Sequence, residues 1–301
     1  MAEGSAWIDG RVVPLSEARV PVTDRGFLFA DSVFDTVRTY RGQPFLLGDH
    51  LDRLRASAAT LFLPVPWPDS FLHEAVHATL ATRGFVGEAS VRIVVTRGDG
   101  GSGLSFPDPQ VPRLVVLCRP TPTAYEGLAA VGVELVRPVD HVGKGGVPGH
   151  VKSGNYLGNV LALHEGQRAG GMESLMRGPD GSWGEATTSN LFAVQGGALV
   201  TPGPAAGVLP GITRALVLAV ARDAGLDVAE RSLFDGDLEA ADELFITSSL
   251  KEVLPATALD GAVVGDGAPG PVTRHLQVLV DAAIQRIVAQ AHARLTEAFP
   301  G

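Results

Sequence analysis

The sequence is short of lysine and nearly free of cysteine. Of 24 cationic residues in 301, only three are lysines, Lys144, Lys152 and Lys251. Any chemistry that needs a side-chain amine therefore has three candidates. The single cysteine, Cys118, excludes an intrachain disulfide framework and a cysteine-based zinc cluster, and it fits a reducing, cytoplasmic setting. Positive charge is not in excess: the formal net charge is −9, which argues against a general nucleic-acid binder. Residues 1–10 carry neither a basic start nor an apolar run, so no signal peptide is expected. The long uncharged stretch 186–213 is broken by Pro202, Pro204 and Pro210 and cannot span a membrane as a helix. What is present is enough apolar residue, 45% against 19% charged, to bury a sizeable core, and a length that suits two domains.

Periodicity and turn signals give an α+β outline. Residues 7–13 read as a hairpin on Asp9-Gly10, and residues 33–47 as a second hairpin turning at Arg41-Gly42. Residues 49–61 and 69–83 carry apolar positions at helical spacing, with Asp69 and Ser70 expected as caps of the second helix. Residues 89–98 and 113–118 read as buried strands. The proline-interrupted stretch 119–127 is the linker expectation. Beyond it, residues 152–170 and 211–225 read as helices ending on glycine, 241–249 as a strand into a turn, and 271–298 as a terminal helix with Pro271 near its first position.

Three motif matches carry less than they promise. His73, Glu74 and His77 fit H-E-x-x-H, but Phe71, Leu72, Ala75, Val76 and Leu80 form the apolar arc of that helix. The histidines therefore fall on its solvated side, and no metal is expected. Residues 98–103, GDGGSG, fit a dinucleotide fingerprint, yet the prolines that follow forbid the helix on which a phosphate would sit. Residues 248–251, SSLK, fit S-x-x-K, but no lysine precedes a threonine to make the companion K-T-G.

A further set of segments is individually weak and jointly specific. "GDHLDRLRASAATL" places Arg53 on a helix, and "HVKSGNYLGNVLA" places Lys152 at a strand-to-helix junction. "GEATTSNLF" carries Glu185, "LPGITRA" opens a helix on small residues, and "ADELFITSSLKEVLP" ends a strand in hydroxyls. Their order and spacing resemble the class IV pyridoxal-phosphate enzymes: branched-chain aminotransferases, D-amino acid transaminases and aminodeoxychorismate lyases. The resemblance runs from residue 7 to residue 255, and "TDRGFLFADSVFDTVRTYRG" is similar to the N-terminal block of the D-amino acid enzymes in particular. It implies a two-domain fold type IV enzyme of α+β class. A small N-terminal α/β domain would span 1–118 and a linker 119–127. A larger C-terminal cofactor domain with a β-barrel-like core would span 128–301. It also implies a homodimer acting on small molecules; the cysteine usage sets the expectation of a cytoplasmic protein, and neither a nucleic-acid nor a membrane partner is expected.

The same resemblance implies the site. Pyridoxal 5'-phosphate needs a primary amine for its Schiff base, and Lys152 matches the family lysine. Its pyridine nitrogen needs a carboxylate neighbour to stay protonated, and Glu185 matches that residue. The phosphate needs cationic and N–H donors. Arg53, the backbone of Ile212 and Thr213 at a helix start, and Ser248 with Ser249 match that cup, the serines replacing a Gly-Thr pair of the branched-chain enzymes. Leu209 matches the apolar residue under the ring and Tyr156 the tyrosine near the Schiff base. Arg55 reads as an ordinary surface cation.

The substrate side separates the family members. The D-amino acid enzymes trap the substrate carboxylate with an arginine and a histidine where this chain has Ser102 and Leu104. Branched-chain enzymes use backbone N–H groups near Ser249 and Leu250 and pocket arginines that match Arg38 and Arg92, with Phe34 as a wall. Against them, Phe29 and Ala30 stand where tyrosine and glycine are usual. Thr36 occupies the place of a threonine that marks the lyases. The expectation is an aminotransferase taking an amino group from a branched-chain L-type amino acid to a 2-oxo acid such as 2-oxoglutarate. The alternative is a lyase converting 4-amino-4-deoxychorismate to p-aminobenzoate and pyruvate.

Overall fold

Residues 32–40 are rich in β-branched and aromatic side chains, which favour a strand, and successive residues of a strand face opposite sides of its sheet. The computed structural model, which describes residues 4–101, 103–138, 146–178 and 180–298, shows that strand. The chain divides into two compact units. The first comprises Met1–Pro122 with Val151–Asn155, and the second Thr123–His150 with Tyr156–Gly301. The division falls within the stretch expected as a linker, but the five residues around Lys152 pack with the first unit.

The first unit contains β1 (Ser5–Ile8), β2 (Arg11–Pro14), α1 (Arg25–Phe29), β3 (Ser32–Tyr40), β4 (Gln43–Pro44), α2 (Leu47–Thr60), α3 (Asp69–Ala81), β5 (Ala89–Thr96) and β6 (Arg113–Pro120). Its sheet runs β2-β1-β6-β5-β3-β4. Both hairpin turns are where the sequence put them. Asp9 and Gly10 have φ of 50° and 83°, and Arg41 and Gly42 have 53° and 74°; positive φ at both central residues matches the twist of the flanking strands. Val33 and Val37, Val91, Ile93 and Val95, and Leu114, Val116 and Cys118 point to one face, where Leu51, Leu54 and Ala58 of α2 and Leu72, Ala75 and Val76 of α3 cover them. Each such aliphatic side chain contributes about 1.5–3 kcal/mol on burial. The opposite face carries Phe34, Thr36 and Arg38 of β3, with Thr36 opposite Arg92 and Arg38 opposite Ser90 on β5.

Two local expectations are corrected here. The cap of α3 is Pro68, with no side-chain capping bond, and Asp69 sits in the first turn. Arg55, expected to be an ordinary surface cation, is only half-exposed. It donates to Asp69 Oδ1 at 2.7 Å and to the carbonyls of Val65 and Trp67, stapling the α2–α3 connection.

The second unit contains α4 (Leu128–Val131), β7 (Val133–Val136), α5 (Leu157–Arg168), β8 (Glu173–Arg177), β9 (Trp183–Ala186), β10 (Asn190–Gln195), β11 (Ala198–Thr201), α6 (Ile212–Asp223), β12 (Val228–Glu230), α7 (Asp235–Glu239), β13 (Glu243–Ser248), β14 (Glu252–Leu259), β15 (Ala262–Val263) and α8 (Pro271–Ala298). The strands run β12-β11-β10-β13-β14-β7-β8-β9, and β9 pairs back onto β10 through Glu185 and Asn190. That last pairing closes β10, β13, β14, β7, β8 and β9 into a six-stranded barrel. Leu135, Leu175, Trp183, Leu191, Leu244, Ile246 and Leu254 belong to its buried core. Closure removes the edges that an open sheet of these strands would expose.

The helix expected over residues 152–170 begins only at Leu157, with Tyr156 at its cap. Residues 152–154 are extended because β3 captures them. Phe34 N–H donates to the Lys152 carbonyl at 2.9 Å and Gly154 N–H to the Ser32 carbonyl at 2.8 Å. A Cβ on Gly154 would lie 2.2 Å from Ser32 Oγ and 3.3 Å from the Ala30 carbonyl oxygen, so a side chain here would have to displace the Ser32 hydroxyl.

Candidate active site

Residues 152–154 pair with the N-terminal half of β3, which brings Lys152 beside the non-helical face of the sheet. Its ammonium lies 4.7 Å from the centroid of the Phe34 ring. The Arg92 guanidinium carbon sits 3.6 Å from the same centroid. Phe34, Thr36, Arg38, Arg92 and Lys152 are thus gathered on one face of the first unit, as a row of apolar wall, hydroxyl and cations. Lys152 N–H is also tied to Ser57 Oγ of α2 at 3.1 Å, so the backbone carrying the amine is fixed from two sides.

Arg53 projects from α2 to the helix side of β3. There the buried Asp35 carboxylate takes two of its donors, Nε and Nη2, both at 2.8 Å. His50 Nδ1 lies 2.6 Å from Asp35 Oδ1. Burial alone pushes the Asp35 carboxyl up, but the Arg53 charge and the His50 and Arg53 hydrogen bonds outweigh it and hold the group well below the usual carboxylate range. Neither Asp35 nor His50 was singled out from the sequence. The available signal was a buried-face aspartate on a strand followed by a helix bearing His and Arg three residues apart.

In the second unit, one end of the barrel collects Glu185, Leu209, the start of α6 and the Ser248–Leu250 turn, while Tyr156 caps α5. Glu185 is near the end of β9. Its Oε2 accepts from the backbone N–H of Leu209 at 3.0 Å and from Asn190 Nδ2 at 3.5 Å, while Asn190 Nδ2 also donates to the Leu209 carbonyl at 2.9 Å. Asn190 therefore latches Leu209 and Glu185 together. Sequence reasoning missed it, although it lies in the same "GEATTSNLF" segment. The latch depends on Gly211, at the cap of α6: a Cβ there would lie 2.0 Å from Asn190 Oδ1. The α6 N-terminus has no side-chain cap, which leaves the N–H groups of Ile212 and Thr213 available to an anion. Ser248 ends β13, and Ser249 and Leu250 make the turn into β14, where Lys251 N–H donates to Ser248 Oγ at 3.2 Å.

These residues fit the pyridoxal-phosphate group on an observation independent of sequence likeness. Asn190 stands opposite both Glu185 and Thr247, so the three form one cross-strand row. In it the buried Thr247 hydroxyl has no hydrogen-bond partner among the described residues. A buried orphan hydroxyl beside a held carboxylate and an uncapped helix start suits a polar, anionic guest.

The motifs set aside from the sequence stay outside this arrangement. His73 is half-buried and Glu74 and His77 are exposed, on the side of α3 away from its buried residues. Leu104, in the loop after the GDGGSG run, is 81% exposed, and that loop is anchored through its carbonyls by Arg25. Ser102 and Lys144 lie outside the described residues. Lys251 is buried and paired with Glu173 at 2.6 Å.

Comparison with known proteins gives the family. Residues 32–259 match the family Amino-transferase class IV. The chain is 35% identical over 274 residues to a putative branched-chain-amino-acid aminotransferase of Methanocaldococcus jannaschii, covering 90% of this chain and 93% of that one. It is 31% identical to a D-alanine aminotransferase of Bacillus licheniformis over 92% of this chain and 95% of the other. Among solved structures, the branched-chain aminotransferase of Thermoproteus uzoniensis with norvaline superposes with a TM-score of 0.85 at 29% identity, covering 94% and 95% of the two chains. With a family match across the barrel and the Lys152 face alike, this chain belongs to the class IV aminotransferases, pyridoxal-phosphate enzymes of fold type IV, and is branched-chain-aminotransferase-like among them.

Proposed function

We propose that the chain moves an amino group between a branched-chain L-type amino acid and a 2-oxo acid such as 2-oxoglutarate, as a cytoplasmic homodimer, with Lys152 as the catalytic amine. The observation that carries this reading is the shared Phe34 ring, with Lys152 Nζ at 4.7 Å and Arg92 at 3.6 Å from its centroid. A reactive amine, an apolar wall and an anion-binding guanidinium then occupy one face.

When bound, pyridoxal phosphate supplies the electron sink that makes the substrate α-proton removable. Lys152 Nζ would take that proton from the α-carbon and pass it to the cofactor's C4′ carbon, and the second half-reaction would run the same transfer backwards. Glu185, held by Leu209 N–H and Asn190, offers a fixed anionic oxygen to the pyridine nitrogen. The N–H groups of Ile212 and Thr213, the Thr213 hydroxyl, Ser248, Ser249 and Arg53 are the residues that would hold the phosphate. Asp35 fixes the plane of the Arg53 guanidinium from the opposite side. Leu209 would pack against the ring, Tyr156 would bond near the reacting amine, and backbone N–H groups near Ser249 and Leu250 would take the substrate carboxylate. Arg38 and Arg92 receive the distal carboxylate of a dicarboxylic acceptor.

Support for the substrate class comes from the ligands of similar enzymes. The Thermoproteus uzoniensis enzyme was solved with norvaline. Another similar branched-chain aminotransferase, at 27–29% identity, was solved with 4-methylvaleric acid and with N-(5'-phosphopyridoxyl)-L-glutamate. Each pairs an apolar side chain or a second carboxylate with the same fold. Support for the homodimer is the apolar stripe Leu157, Val160 and Leu161 on α5, respectively 66%, 56% and 48% exposed at i, i+3 and i+4 spacing.

The test incubates the holoenzyme with leucine plus 2-oxoglutarate and, separately, with aminodeoxychorismate alone. Glutamate formation only in the first is the expected result. Pyruvate release in the second, without any acceptor, overturns it in favour of the lyase, for which Thr36 on the Lys152 face is the distinguishing residue.

A further inference from the structure

Lys251 is the one described lysine that the reaction leaves unused, and it is buried. Its ammonium donates to Glu173 Oε1 at 2.6 Å, to Thr188 Oγ1 at 2.5 Å and to Ser189 Oγ at 3.1 Å. Three donors on one nitrogen are thereby matched to three acceptors. The Tyr125 ring lies 5.1 Å from the same nitrogen. Glu173 is equally committed: Thr188 and Ser189 donate to its Oε1 and Thr187 to its Oε2.

The chain positions of these groups give the network its consequence. Thr187, Thr188 and Ser189 form the turn between β9, which carries Glu185, and β10, which begins at Asn190. Lys251 closes the turn between β13 and β14, directly after Ser248, Ser249 and Leu250, and its own N–H is bonded to Ser248 Oγ. Glu173 opens β8 at the same end of the barrel. A buried ammonium that binds a carboxylate and two hydroxyls in this way locks the two turns to each other. Burying a charge pair gives little net stability compared with an apolar pair of the same volume, and its best-attested use is to fix geometry.

We propose that Lys251 is a positioning residue: with Glu173 it holds the Ser248–Leu250 turn in register with the turn that follows Glu185. The phosphate-side and pyridine-side contacts of the cofactor then keep a fixed spacing. The inference rests on the proposed placement of the phosphate at Ser248 and Ser249.

Lys251→Met alone would strand the Glu173 carboxylate without its partner and threaten folding, so the central variant is Lys251→Met combined with Glu173→Gln. The apo form should melt close to the wild type. Titrated with inorganic phosphate and with pyridoxal phosphate, it should bind both about tenfold more weakly, the scale of losing one charge-assisted hydrogen bond. The KM for the amino donor should rise more than kcat falls. At saturating cofactor, borohydride should still trap the adduct at Lys152. Thr188→Val keeps both charges and removes the hydroxyl that bridges them, and it should shift both affinities the same way by a smaller factor. Lys251→Arg should recover part of the loss. A folded double variant, or a folded Thr188→Val protein, with unchanged phosphate affinity, cofactor affinity and KM overturns the positioning role while leaving the site's assignment intact. A wild-type protein that takes up no pyridoxal phosphate overturns both.

Discussion

The backbone N–H of Leu209 donates to Glu185 Oε2 at 3.0 Å, and Asn190 closes the triangle by donating to the Leu209 carbonyl at 2.9 Å. A residue that would pack under the cofactor and the carboxylate that would face its nitrogen are thus fixed by one another. Asn190→Ala should release both. We expect cofactor affinity to fall about tenfold, in line with losing a hydrogen bond to a charged group, with little change in melting temperature. Absorbance titration of the apo protein measures the first and calorimetry the second.

Gly211 is the backbone condition for that latch. Gly211→Ala would drive a methyl to 2.0 Å from Asn190 Oδ1, and the amide must move. The expected outcome is a cofactor affinity at least as weak as that of Asn190→Ala, and little extra loss when the two substitutions are combined. Full additivity of the two would contradict a shared mechanism.

Lys152→Ala should abolish the borohydride-reducible adduct and the amino transfer while preserving the fold. Peptide mapping of the reduced protein checks the position: an adduct recovered on Lys144 or Lys251 would remove Lys152 from its role.

Asp35 should make stability sensitive to acid. Its carboxyl is held below the usual range by Arg53 and His50, so it contributes stability above the unfolded value of about 3.9. That contribution is lost progressively as pH falls from there through the folded value. Asp35→Asn should flatten the fall in melting temperature below about pH 4. At neutral pH the same change strands the buried Arg53, at a cost of about 3–5 kcal/mol, and Arg53 should then hold the phosphate less firmly. Denaturant titration at both pH values separates the two effects.

Arg92→Leu should discriminate between substrates. The KM for 2-oxoglutarate should rise by about tenfold or more, as expected for losing a charged contact, while that for the monocarboxylic 2-oxo acid of leucine should stay within about twofold. Equal losses on both would place Arg92 in the support of Phe34 instead.

Much of this was legible from residue pattern alone. The two hairpins, the helices expected over 211–225 and 271–298 and the buried strands expected over 89–98 and 113–118 follow from period and turn chemistry, because those signals are local. The resemblance then picked Lys152 and Glu185 from among the residues of their type. Other features were not legible, because they depend on partners far along the chain. The helix expected from residue 152 starts at Leu157 because β3, more than a hundred residues earlier, pairs with residues 152–154 and overrides their local preference. Asp35, His50, Asn190 and Thr247 have no motif of their own and acquire meaning only from the strand or helix that faces them.

The three lysines show the same division. By itself the sequence determined that a covalent amine had to be Lys144, Lys152 or Lys251, since nothing else on a side chain can do that chemistry. The resemblance pointed to Lys152, and only the tertiary structure shows what surrounds each of the two that are described. It set Lys152 against Phe34 on the sheet face away from the helices. It enclosed Lys251 among Glu173, Thr188 and Ser189, where every donor of the ammonium is spent on acceptors brought together by barrel closure.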